Sequence, residues 1–101
     1  MPQIKTPSNF APAQIDLAFI VEKDLLAQKV KEEILSFPFV ILAELFDEFE
    51  SFRFGKNRKN IAFHIWLEGR EKTLTNREIQ AFSKQIISRI EKKFRAQLRK
   101  F

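Results

Sequence analysis

The stretch from Lys59 to Phe82, KNIAFHIWLEGREKTLTNREIQAF, constrains the fold more than any other. It holds an alternating strand, a polar turn and a helix start. Successive side chains of a strand point to opposite faces. Ile61, Phe63, Ile65 and Leu67 therefore share one face, and their residue types make it a buried one. Ala62, His64 and Trp66 fall on the face away from the core. After the polar turn at Glu68-Gly69-Arg70-Glu71-Lys72 comes Leu74-Thr75-Asn76-Arg77-Glu78-Ile79. The Thr75 hydroxyl can accept a hydrogen bond from the N–H three residues on, and the Glu78 carboxylate can accept one from the N–H of Thr75. Leu74 and Ile79 stand where a hydrophobic staple closes over such a start. Ile79, Phe82, Ile86, Ile90 and Phe94 then recur at helical spacing, which predicts a helix from about Asn76 to Phe94.

The elements around this stretch follow from pattern and punctuation. Residues 1–14 hold Pro2, Pro7 and Pro12. Proline fixes φ and donates nothing to a ladder, so an extended N-terminal lead-in is expected there, with the domain occupying 15–101. Ile15 to Val21 is expected to be a strand, with Leu17, Phe19 and Val21 buried and Asp16, Ala18 and Ile20 opposite; in so short a run, periodicity alone does not separate strand from helix. A helix is expected from Asp24, with Leu26, Val30 and Ile34 as its stripe and Pro38 beyond its end. Phe39 to Phe52 is expected to be a long strand whose alternation breaks around Leu45-Phe46; one bulge there would turn Asp47 and Phe49 to a new face. Residues 53–58 make a basic turn around Gly55, and Ala96 to Arg99 can form a short last strand. The order β-α-β-β-α-β implies an α+β, ferredoxin-like fold: a four-stranded antiparallel sheet with two helices on one face and the other face open.

Composition narrows the function. A chain of 101 residues suits one domain with a modest core. It has 12 Phe and no Tyr, and rings without hydroxyls need no polar partner, so most of them can be core. The absence of cysteine excludes disulfide and thiol chemistry and fits a reducing compartment. No apolar run approaches the ~20 residues that span a bilayer, and the N-terminus lacks the apolar centre of a secretory signal, so no membrane partner and a cytoplasmic setting are expected. Residues 1–50 carry 4 basic and 9 acidic side chains; residues 51–101 carry 14 and 4, a shift from −5 to +10. The basic residues gather at Arg53, Lys56, Arg58 and Lys59, and again at Lys84, Arg89, Lys92, Lys93, Arg95, Arg99 and Lys100. That asymmetry suggests a polyanionic partner, although the same residue types also make ordinary solvated helix surface.

Nothing in the sequence assembles a catalytic centre. There is a single histidine, His64, without a partner at metal spacing, and the five serines sit in no nucleophile-elbow motif. With only Gly55 and Gly69, there is no glycine-rich phosphate loop of the kind acylphosphatases carry on this element order. The expectation is a binding domain, not an enzyme by itself, with no catalytic residue, metal or cofactor. An open sheet face bearing rings beside basic loops suits single-stranded RNA. Trp66, His64, Phe49 and Phe52 are the candidates on or near that face, although Phe52 and Phe54 can equally be loop anchors and Trp66 can simply cover the sheet. The alternative is a non-catalytic interaction module in which Trp66, Phe49 and Ile20 form an apolar patch for another protein surface.

Several short motifs, in order, carry a family resemblance from Pro7 to Arg99. They are Pro7-Ser8-x-Phe10, Asp16-Leu17-Ala18-Phe19, Leu45-Phe46-Asp47 with an aromatic at 49, Asn60-Ile61-Ala62-Phe63, Thr73-Leu74-Thr75 and Ala96-x-Leu98-Arg99. In this the chain resembles the C-terminal anticodon-binding domain of the bacterial phenylalanyl-tRNA synthetase β subunit, a ferredoxin-like module. The resemblance implies tRNA binding through the anticodon stem-loop. It also implies, if the chain is an excised domain, the remainder of a synthetase β subunit and its α subunit as partners. By matched position, Phe49 would stack on the first anticodon base while Asp47 and Asn60 read its edge, with Arg53, Lys56, Arg58 and Lys59 on phosphates and His64 and Trp66 nearby. Three positions depart from the family pattern. Phe49 stands for tyrosine, Asn60 for serine, and Ile15 for the arginine that usually precedes Asp16, which leaves Asp16 without that partner.

Overall fold

A computed structural model describes residues 11–69 and 72–99. Most of the expected lead-in, together with Arg70, Glu71 and Lys100, lies outside the described residues. Four strands and two helices follow one another as β1 (Ala13–Glu22), α1 (Ala27–Leu35), β2 (Val40–Glu50), β3 (Arg58–Leu67), α2 (Asn76–Phe94) and β4 (Gln97–Arg99). A short 3-10 turn, Phe52–Phe54, lies between β2 and β3. The strands form one sheet in the order β2-β3-β1-β4, with every neighbouring pair antiparallel. This is the ferredoxin-like arrangement expected from the element order.

The core lies between the sheet and the two helices. Leu17, Phe19 and Val21 of β1 meet Ile61, Phe63, Ile65 and Leu67 of β3, and Val30 and Ile34 of α1 pack on them with Ile86 and Ile90 of α2. Helix α2 begins as its residues dictate. The N–H of Glu78 donates to Thr75 Oγ1 at 3.1 Å, and the N–H of Thr75 donates to Glu78 Oε1 at 2.9 Å. The Glu78 carboxyl is held below its ordinary pKa chiefly by that backbone donor. Each reciprocal bond satisfies an N–H that a helix start leaves orphaned. Glu33 ties the helices together, accepting from Arg89 and Lys93 at 2.8 Å each, while the Arg89 guanidinium lies 4.7 Å from the Phe37 ring centroid. These bonds hold the Glu33 carboxyl below its usual range.

Four details differ from the sequence reading. Helix α1 starts at Ala27, not Asp24; Leu26 is its N-cap in extended conformation and is 63% exposed. The buried stripe is therefore Ala27, Val30 and Ile34, because Leu26 is displaced from the helical register. Strand β1 starts at Ala13, since Ala13 and Gln14 still pair with Leu67 and Trp66. Strand β2 bulges at Leu45/Asp47 as the broken alternation suggested, and again between Val40 and Leu42. Finally, Ala18, Ile20 and Ala62 are buried although they face away from the helices. They sit on the two central strands, where small or mid-sized side chains lie below their larger neighbours. The patch of Trp66, Phe49 and Ile20 is thus interrupted, because Ile20 is covered.

Candidate nucleic-acid interface

The register aligns the helix-free face into cross-strand rows. Leu42, Trp66 and Gln14 form one row; Glu44, His64 and Asp16 form the next. Asp47, Ala62, Ala18 and Arg99 form a third, and Phe49, Asn60, Ile20 and Gln97 a fourth. The bulge before Asp47 makes this alignment possible. Without the extra residue, Asp47 and Phe49 would point to the helix side, since a one-residue slip exchanges the faces of a strand. Asp47, Phe49 and Asn60, far apart in the sequence, are brought onto adjacent rows of two neighbouring strands.

Asn60 is the unusual member. It is 1% exposed, and its Oδ1 has no hydrogen-bond partner among the described residues. Buried polar atoms are nearly always paired, and leaving one unpaired costs about 1–3 kcal/mol. Its cross-strand neighbours are Phe49 and Ile20, which offer no side-chain polar group. Phe49 remains 38% exposed. Its ring is 5.4 Å from that of Phe54, and the Arg99 guanidinium lies 5.7 Å from the Phe49 centroid and 5.1 Å from the Phe54 centroid.

His64 and Trp66 occupy the other half of the face. His64 Nδ1 is 2.7 Å from Asp16 Oδ1, and Gln14 Nε2 donates to the same oxygen at 3.1 Å. The imidazole is sandwiched on one side by Phe46, whose ring is parallel within 7° at 3.8 Å, and meets the Trp66 edge at 5.9 Å. Asp16, expected to lack a partner because Ile15 replaces an arginine, therefore has two on the sheet itself. The hydrogen bond from His64 is the main cause that holds its carboxyl below the ordinary value.

The basic loop divides. Arg53 and Lys56 are exposed, and Arg58 is half-buried with Nη2 donating to the Ile20 carbonyl at 3.5 Å. Lys59 lies elsewhere. It shares the parity of Ile61 and Phe63, so it points to the helix side, is 8% exposed, and its ammonium sits 2.7 Å from Glu48 Oε2. An ammonium already committed to a carboxylate on that side is not poised to meet a phosphate on the open face. Among the described residues no cluster of three or more metal-ligating side chains occurs, and no helix is long and apolar enough to cross a membrane.

Comparison with known proteins places this geometry in a family. The model of the ferredoxin-fold anticodon binding domain matches residues 8–99. The chain belongs to that family. Among its relatives, the phenylalanine–tRNA ligase β subunit of Cutibacterium acnes is 33% identical over 99 residues, covering 96% of this chain and 12% of the relative. The corresponding subunit of Nitrosospira multiformis is 32% identical over 101 residues, covering 98% and 13%. That of Carboxydothermus hydrogenoformans is 33% identical over 96 residues, covering 93% and 12%. The chain thus spans about an eighth of the length of these relatives.

Two residues of this anticodon-binding domain's open face escaped the sequence reading as parts of the site. Phe46 is the bulge residue and joins the His64 stack; the break in alternation marked the bulge but not where its ring would lie. Arg99 was legible as a cation of the basic tail and as the end of a short last strand, but not as a neighbour of Phe49. Its position on the three-residue strand β4, paired with Ala18, is what brings it over Phe49 and Phe54.

Proposed function

We propose that this domain binds the anticodon loop of a tRNA on its helix-free sheet face and positions that tRNA for a larger synthetase. One observation carries the reading: a buried carboxamide oxygen at Asn60, unpartnered among the described residues, beside the exposed ring of Phe49. A base stacked on Phe49 would bring its hydrogen-bonding edge to Asn60 and to the exposed carboxylate of Asp47. A guanine edge supplies donors for both acceptors. Arg53, Lys56 and Arg58 would meet phosphates, while Lys59 would hold the end of β2 in place through Glu48. His64, held by Asp16 and Phe46, and Trp66 against its ring would support the loop on the far side of the face.

The relatives are phenylalanine–tRNA ligase β subunits, so phenylalanine tRNA is the tRNA we assign, with aminoacylation performed by the rest of such an enzyme in the cytoplasm. The remainder of a β subunit, and through it an α subunit, would be the protein partners. Exposed Ile41, Leu42 and Leu45 along the edge strand β2 offer an apolar strip for such a contact.

The test is fluorescence anisotropy of the chain with a labelled phenylalanine-tRNA anticodon stem-loop, competed by a stem-loop with a changed first anticodon base. Phe49→Ala should weaken binding by about 1–3 kcal/mol without unfolding the domain. Unchanged affinity in that variant, or equal competition by the two stem-loops, refutes base reading at this site.

A further inference from the structure

Among the described residues nothing packs on Phe52, so it has no structural task that they require. It is 98% exposed, yet the turn that carries it is well hydrogen-bonded. Phe54 N–H donates to the Ser51 carbonyl at 3.1 Å, Gly55 N–H to the Phe52 carbonyl at 3.1 Å, and Arg53 N–H to Ser51 Oγ at 3.3 Å. The adjoining Asn57 carbonyl accepts from Lys23 N–H at 2.9 Å. Gly55 then leaves the turn at φ 100°, a conformation glycine adopts without strain. The hydrophobic anchor of this turn is Phe54, which is half-buried against Phe49 and Arg99. Of two rings two residues apart, one holds the loop and the other is presented to solvent.

The surroundings of Phe52 are cationic. Phe52 itself helps line a crevice of about 400 Å³ with Ser51, Gly55, Lys56, Asn57 and Arg58, in which Glu50 is the only acid among the described residues. Arg53 is exposed on the same turn. A fully exposed ring gains nothing from folding and gains only when something flat or apolar covers it, and the charges around it favour a polyanion.

We propose that Phe52 is a second base-stacking platform, taking the nucleotide next to the one seated on Phe49, with Lys56 and Arg58 on the phosphate that joins them. The inference rests on the anticodon-binding reading and extends it by one nucleotide. Phe49 and Phe52 are three positions apart, so their Cα atoms lie at most about 11 Å from each other, and neighbouring nucleotides of a splayed single strand can reach both rings. Phe52 carries no hydrogen-bonding group. It therefore adds affinity for any base and leaves discrimination to Asp47 and Asn60.

The experiment uses the full 101-residue chain and phenylalanine-tRNA anticodon stem-loops carrying 2-aminopurine singly at successive loop positions. The chain should quench two neighbouring positions. Phe52→Ala should abolish the quench at one of them and weaken binding about 5- to 150-fold, with the preference for the first anticodon base unchanged. Phe52→Trp should restore both, and Phe52→Leu neither. Wild-type affinity and quenching in Phe52→Ala overturn the proposal, as does full restoration by Phe52→Leu, which would show an apolar contact and not a stack. If Phe49→Ala loses discrimination while Phe52→Ala binds normally, only the second platform falls. If the unaltered chain binds no stem-loop at low salt, both readings fall together.

Discussion

Replacing Asn60 by leucine should make the free domain more stable and its RNA reading worse. The Asn60 side chain is buried, and its Oδ1 is unpaired among the described residues. Such an orphaned group costs about 1–3 kcal/mol relative to its hydrated state. Leucine has the same branching at Cγ and removes the penalty, while its extra bulk gives back about 1 kcal/mol in a packed site. The expected net gain is about 1 kcal/mol, which raises the melting temperature of a domain this size by about 4–8 °C. Loss of one hydrogen bond to a base should weaken binding roughly 2- to 12-fold and flatten the preference among first anticodon bases. Thermal denaturation followed by circular dichroism reads the first effect, and competition anisotropy reads the second. A variant destabilised by more than about 2 kcal/mol, beyond what overpacking against the removed penalty can produce, would refute the reasoning, because Oδ1 would then be satisfied in the free domain.

Other outcomes follow from the same geometry. Lys56→Ala should lower the salt dependence of stem-loop binding by about 0.7 in log–log slope, the value for one phosphate contact on a single strand, whereas Lys59→Met should leave the slope unchanged because its ammonium faces Glu48. Thr75→Ala should cost about 1 kcal/mol by removing half of the capping box, seen as a lowered midpoint in urea. Glu78 and Asp16 have folded pKa values below their ordinary 4.5 and 3.8, so their stabilisation is present above those values and is lost as pH falls through the folded ones. Melting temperature should therefore fall on acidification below about pH 5, and less steeply in Glu78→Gln and Asp16→Asn than in the unaltered chain.

Where the fold was legible, local chemistry and tertiary demand agreed. Ile61 to Leu67 alternate cleanly because β3 is central and buried on its helix side, and Thr75 to Ile79 encode a helix start that needs no distant partner. The start of α1 was not legible because no side chain caps it. Leu26 looked like the first residue of a stripe, and only the turn closed by Leu25 N–H on the Glu22 carbonyl at 3.1 Å displaces it.

The site was harder to read for the same kind of reason. Asp47, Phe49 and Asn60 meet only because a bulge sets the face of β2, and a bulge is written in the sequence as an irregularity without a direction. Lys59 looked like one more cation of a basic loop, but β3 begins at Arg58, so its parity turns it toward the helix side. Arg99 and the Asp16–His64 pair depend on strand register across more than 40 residues, which no local pattern encodes.

The most direct measurement is a titration of isotope-labelled domain with the phenylalanine-tRNA anticodon stem-loop, following the side-chain amide resonance of Asn60. The account predicts a shift of that resonance that saturates at one stem-loop per chain, accompanied by shifts at Asp47 and Phe49 and none on the outer face of α2. An unmoved Asn60 resonance, with shifts gathered instead around Lys84, Lys92 and Lys93, would contradict it and place the RNA on the helices.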